Sequence, residues 1–113
     1  MSLSAESIVR RYFDRIRARS PDVADLFHED ATLVGLGDRK SGRDAIREFY
    51  AGVIENAGPT PTIIGELLVS QDRVAAEIEI ALADGSTVHV VDLFVVEDEL
   101  IRSLTYFVAD HDT

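Results

Sequence analysis

No cysteine occurs among the 113 residues, and there is no tryptophan, one methionine and only three prolines. Without thiols neither a disulfide framework nor a thiolate zinc site can form, and the chain suits a reducing compartment. Positive charge is also scarce, with eleven Lys and Arg against twenty-one Asp and Glu for a net charge of −10. That sign opposes a phosphate backbone, and the basic residues are interleaved with acids rather than gathered in an aromatic-studded stripe, so no nucleic acid partner is expected. The histidines His28, His89 and His111 are scattered instead of spaced as ligands, and neither a metal nor a cofactor is expected. No apolar run approaches the ~20 residues of a membrane span. Met1-Ser2-Leu3-Ser4 lacks the basic start and apolar core of a secretion signal, so a cytoplasmic protein with no membrane contact is the expectation.

What is present is enough apolar material, 46% of residues, for one core, and residues 1–113 read as a single domain. Between residues 4 and 19, Ile8, Val9, Tyr12, Phe13 and Ile16 form one stripe of an amphipathic helix, which turns Tyr12 inward. Ser20-Pro21-Asp22 offers an N-cap with proline at the first helical position, opening a short helix that buries Val23, Leu26 and Phe27. Residues 31–34 are expected as a brief strand and residues 35–40 as a loop. A third helix covers 43 to about 56, with Ile46, Phe49, Tyr50 and Val53 on one face and Gly58-Pro59-Thr60-Pro61 as its stop. Strands are expected at about 62–70, 73–82, 86–96 and 101–109, with turns at Gln71-Asp72, Ala83-Asp84-Gly85 and Asp98-Glu99. Three helices followed by an antiparallel sheet is an α+β arrangement, in which the sheet curls around the helices and leaves a pocket at its open end.

Asp92 is the residue that invites a functional reading. It interrupts the run Val88-His89-Val90-Val91-Asp92-Leu93-Phe94-Val95-Val96, and alternation puts it on one face with Val88, Val90, Phe94 and Val96. An edge-strand aspartate facing solvent is the alternative, but that face is the more uniformly apolar of the two. A carboxyl held there costs several kcal/mol if ionised and unpaired. A three-residue turn at Ala83-Asp84-Gly85 pairs Leu82 with Ser86 and keeps Ile78, Ile80, Val88, Val90 and Asp92 together, whereas a two-residue turn would set Glu77 beside Asp92. All three tyrosines also fall on inward faces: Tyr12, Tyr50, and Tyr106 beside Leu104 and Val108. Buried phenols need partners, and Asp92 is expected to accept or share a hydrogen bond with Tyr12 or Tyr106. Each tyrosine taken singly is also explained as a large core residue bonded to backbone or water.

Ile8-Val9-Arg10-Arg11-Tyr12, Phe27-His28-Glu29-Asp30-Ala31-Thr32 and, most specifically, Ser41-Gly42-Arg43-Asp44-Ala45-Ile46-Arg47-Glu48-Phe49-Tyr50-Ala51 resemble the ketosteroid isomerase and SnoaL-like branch of the nuclear transport factor 2-like superfamily. The resemblance spans nearly the whole chain. It implies a cone-shaped, cystatin-like fold, three helices on a curved sheet that is mixed at its edge, with Tyr12 and Asp92 as an oxyanion pair and Tyr50 supporting them. Ketosteroid isomerase is itself a standard case of an aspartic acid kept neutral by its apolar site. Gly35 stands where that family's general base falls, so the proton shuttle is missing. Glycine there is expected to leave room for a side chain, such that Gly35→Asp would restore proton transfer. Asp38 and His28 are further residues that could reach the pocket.

Three functions remain open. The first is an enzyme without cofactor, in which Tyr12 and Asp92 stabilise an oxyanion or move a proton on a small apolar carbonyl or epoxide compound. Tyr50, Tyr106, Phe27, Val90, Phe94, Leu104 and Val108 would line its substrate site. The second is a non-catalytic binding module for an apolar ligand, and the third a dimeric protein-interaction domain. On the outer sheet face His89, Val91, Leu93 and Val95, with Ala75 and Ala81, are apolar enough to predict a homodimer through that face.

Overall fold

Helix α1, Ala5–Arg17, begins where the Ser4 hydroxyl accepts a hydrogen bond from the Ser7 amide at 3.1 Å. It buries the predicted stripe, Ile8, Val9, Tyr12, Phe13 and Ile16. The computed structural model describes residues 4–112. Residues 1–3, read above for a secretion signal, and Thr113 lie outside the described residues. Ser20 caps a short 3-10 helix, Pro21–Leu26, that leads directly into strand β1, Phe27–Gly35. That strand is nine residues long instead of the brief one expected, and Phe27 is its first residue, fully buried.

The expected loop at 35–40 is a hairpin. Gly35 pairs with Asp38 across a two-residue turn, Leu36-Gly37, whose positive φ values of 53° and 76° match the twist of paired strands. Strand β2, Asp38–Ser41, follows, then helix α2, Arg43–Ala57, which buries Ile46 and Tyr50. The Arg43 guanidinium donates to the Phe27 carbonyl at 2.9 Å and ties the start of α2 to the start of β1.

The rest is sheet: β3 Thr60–Ile63, β4 Leu68–Ser70, β5 Arg73–Ala81, β6 Thr87–Glu97 and β7 Leu100–Asp112. The strand expected at 62–70 is broken in two, because Ile63 pairs with Ile78 but Leu68 with Ala75, so the intervening residues loop out around Gly65. Strand order is β2-β1-β7-β6-β5-β3, with β4 also on β5. All pairings are antiparallel except β1 with β7, so the sheet is mixed. Leu82 donates its amide to the Ser86 carbonyl at 2.9 Å, and Gly85 takes φ 91°, which is the predicted three-residue turn. Ile80 accordingly faces Val88, Ile78 faces Val90 and Ala76 faces Asp92.

Register shifts on β7 set the last hairpin. Glu97 pairs with Leu100 and Val96 with Ile101, yet Val95 pairs with Ser103, leaving Arg102 as an extra residue. Continuing the first register would bring Thr105 opposite Asp92, whereas the bulge brings Tyr106 there. Helices and the inner sheet face enclose a core whose largest fully buried side chains include Phe13, Phe27, Phe94, Ile8, Ile46, Ile101 and Leu104. Among the described residues no helix is long and apolar enough to cross a membrane.

Candidate functional site

A cavity of about 240 Å³ opens between α1, α2 and the inner sheet face. Its walls are apolar: Phe13, Ile16, Phe49, Val53, Pro59, Pro61, and the inward residues Ile78, Ile80, Leu82, Val88, Val90, Leu104 and Val108. Leu36, 77% exposed at the tip of the β1–β2 hairpin, and Val108, 39% exposed, mark its mouth. Four residues bring polar atoms to it: Tyr12, Tyr50, Asp92 and Tyr106.

Each polar residue is delivered by a separate element. α1 carries Tyr12 and α2 carries Tyr50, and their hydroxyls share a hydrogen bond of 2.8 Å. Two phenols hold two protons and spend one between them, so one remains for a further acceptor. Burial pushes the Tyr12 phenol far above its usual range, with the Tyr50 phenol and the Asp92 carboxyl adding to the effect. Tyr50 is raised by burial as well. Both stay neutral through the physiological range. β6 carries Asp92, 4% exposed, whose pKa rises from 3.8 to about 7 because burial removes the water that would solvate its charge. Asp92 does not form the bond to Tyr12 or Tyr106 expected from sequence, because Tyr12 is turned to Tyr50 instead. Among the described residues the Asp92 carboxyl has no hydrogen-bond partner, and neither has the Tyr106 hydroxyl. Tyr106, on β7 directly across from Asp92, is raised first by burial and then by the charge of Asp38.

Several sequence expectations change here. Phe27 and Phe94, expected to touch substrate, are 0% exposed and lie behind the cavity wall. Their rings instead support the phenols: Phe94 meets Tyr12 edge-on at 5.1 Å, and Phe27 lies 6.1 Å from Tyr50. Gly35 does not leave room for a side chain. It faces inward at the end of β1, and a Cβ there would stand 2.2–2.4 Å from three carbons of the Tyr106 ring. Asp38 does not reach the cavity; it is exposed and paired with Lys40 at 2.8 Å, which holds its carboxyl below the usual range. His28 is turned to the Glu97 carbonyl at 2.6 Å, outside the cavity. There it comes within 4.8 Å of carboxylates of Glu97 and Asp98, a surface group capable of meeting a cation that the spread of histidines in sequence does not suggest.

Tyr12, Tyr50, Val90, Asp92, Leu104, Tyr106 and Val108 do converge as expected. The lining residues not anticipated are mostly those read for another purpose. Pro59 and Pro61 register in sequence as a helix stop, and Leu36 as one loop residue between glycines. Ile78, Ile80 and Val88 share the inward periodicity of Asp92 and were recognisable from it.

The same architecture recurs in solved structures. A nuclear transport factor 2-like protein from Cytophaga hutchinsonii superposes with a TM-score of 0.82 at 13% identity, covering 96% of this chain and 92% of that one. A candidate polyketide cyclase from Sinorhizobium meliloti gives 0.81 at 24% identity over 88% and 93% of the two chains. A candidate ketosteroid isomerase from Kribbella flavida gives 0.81 at 22% identity over 94% and 78%. At these identities the likeness is one of fold. No curated protein matches the sequence. The sequence pattern of the SnoaL-like domain matches residues 9–104, which takes in α1 from Val9 onward, the whole of α2, and the cavity residues from Tyr12 to Leu104. A chain that matches this pattern over most of its length, with its helices packed on one face of a mixed sheet, belongs to the SnoaL-like domain family.

Proposed function

We propose that the cavity binds a small apolar carbonyl compound and that Asp92 moves a proton on it without a cofactor. The observation that carries this reading is the Asp92 carboxyl itself: buried, without a protein hydrogen-bond partner, and facing an apolar cavity with an open mouth. A group so placed destabilises the fold when ionised, and a ligand is what it can serve. With a pKa of about 7, both of its forms are populated near neutral pH, the condition under which a general acid–base works in both directions.

The roles differ from those implied by the resemblance. Position 35 has no carboxylate, so among the described residues the only carboxyl lining the cavity is the one that would otherwise be an oxyanion donor. In this reading Asp92 in its ionised form takes a proton from the carbon next to the carbonyl, becoming the neutral acid. The free proton of the Tyr12–Tyr50 pair makes a hydrogen bond to the enolate oxygen as its charge develops. Asp92 then returns the proton to carbon, so no other proton carrier is consumed. A binding module without turnover is the second reading, favoured by the Tyr106 ring lying over the position where a second carboxylate would stand.

The test is deuterium exchange at the α-carbon of cyclohexanone in D2O, followed by proton NMR alongside the protein's own resonances. Wild type should accelerate exchange, Asp92→Asn should abolish the acceleration, and Tyr12→Phe should reduce it. Exchange at the buffer rate by protein whose cavity resonances show the ketone bound would refute catalysis and leave the binding module. An absence of any bound ketone would refute both.

A further inference from the structure

Tyr106 is the one cavity tyrosine that the Tyr12–Tyr50 pair leaves aside. Val34 pairs with Thr105 across the parallel β1–β7 junction, so Tyr106 on one strand sits beside Gly35 on the other. Gly35 is buried and shares the inward face with Ala31 and Leu33, so any side chain at 35 would project into the space its neighbour fills. An aromatic ring laid over a glycine of the adjacent strand fills the gap and covers bare backbone. Three ring carbons within 2.2–2.4 Å of a built Cβ mean that even a methyl group at 35 must push the phenol aside. The ring is therefore seated by an absence, and its seat is inside the cavity.

Depth gives the seat a consequence. Along β7 Tyr106 stands only two positions before Val108 at the mouth, a rise of about 7 Å. The cavity volume of about 240 Å³ also falls below that of sites that enclose drug-sized ligands, about 300–1,000 Å³.

We infer that Tyr106, seated on Gly35, is the specificity-determining residue of this cavity: its ring restricts the ligand to a single-ring ketone, and its free hydroxyl is a polar contact to that ligand beside Asp92. The inference rests on the ligand-binding reading above. In this arrangement Gly35 is the partner that permits the restriction, and Gly35→Asp displaces the phenol before it adds any base.

Two ketones of like chemistry and different size, cyclohexanone and 2-decalone, test the size limit by NMR titration. Wild type should bind cyclohexanone more tightly than 2-decalone, and Tyr106→Ala should invert that order. Tyr106→Phe should keep the wild-type order while weakening cyclohexanone about fivefold, the equivalent of one neutral hydrogen bond. The same order in wild type and Tyr106→Ala overturns the size role, and unchanged cyclohexanone affinity in Tyr106→Phe overturns the polar contact. The seat is tested without ligand by thermal melts of Gly35→Ala, Tyr106→Ala and the double variant. Gly35→Ala should lower Tm in the wild-type background and have little effect in the Tyr106→Ala background; equal losses in both overturn the seat. A cycle that behaves as expected in protein that binds neither ketone would mean that the ring packs as described but that the ligand-binding reading, and the specificity role with it, is wrong.

Discussion

Replacing Asp92 by asparagine removes one titrating group from the cavity and keeps its shape, so its effect on stability can be worked out as a function of pH. The folded pKa is about 7 against a usual 3.8, raised by burial. Between those values the folded protein holds a proton that the unfolded chain has released, and stability must fall as pH rises through that window. Below about pH 4 the group is neutral in both states and its contribution is fully present. Above about pH 7 the folded state carries a buried charge, and the contribution is lost. Three pKa units at about 1.4 kcal/mol each come to about 4 kcal/mol, a large share of the 5–15 kcal/mol typical of a whole domain. Among the described residues no histidine lines the cavity, and its phenols are raised above their usual range, so no other described lining group titrates in this window. Urea melts of wild type and Asp92→Asn at half-unit steps from pH 4 to pH 8.5 measure the difference directly, because contributions from the surface carboxylates cancel. The two proteins should lie within about 1 kcal/mol of each other at pH 4, with the variant ahead by about 4 kcal/mol at pH 8. Parallel curves over the whole range, or a variant that loses ground as pH rises, would refute a buried and solvent-starved Asp92.

Phe94→Ala should cost about 3–5 kcal/mol in a denaturant melt, since the ring is fully buried beneath Tyr12 and Phe13, while Val108→Ala at the open mouth should stay within about 0.5 kcal/mol of wild type. The outer sheet face presents Phe107 at 56% exposure opposite the half-buried Val91, with Leu93 and Val95 alongside, and we expect a second copy of the chain to cover it. Light scattering at micromolar concentration should then give a dimer mass that Phe107→Glu reduces to monomer, and a monomeric wild type would reject the assembly.

The inward placement of Asp92 was legible in the sequence because strand alternation is a local property. Once Val88, Val90, Phe94 and Val96 share a face, Asp92 shares it too, and the short turn at Ala83-Asp84-Gly85 fixes the register to β5. Helix periodicity did the same for Tyr12 and Tyr50. Which of these groups meet was decided elsewhere. The Tyr12–Tyr50 bond joins side chains on two helices, and its formation left Asp92 without the partner that proximity on one face had suggested. Tyr106 faces Asp92 only because β7 bulges at Arg102. The sequence hints at it in the three-residue spacing of the buried Ile101 and Leu104, but the extra residue is held out by ion pairs to Asp30 at 2.5 Å and Glu97 at 3.1 Å. Gly35 and Phe27 were read from their own neighbourhoods, as a vacancy and as a wall. The parallel pairing of β1 with β7 brings the Tyr106 ring over Gly35, and the packing of α2 on β1 sets Phe27 behind the phenols. Local periodicity determines which way a side chain points, whereas how deep it lies and what already occupies the space beside it depend on strands and helices far apart in the chain.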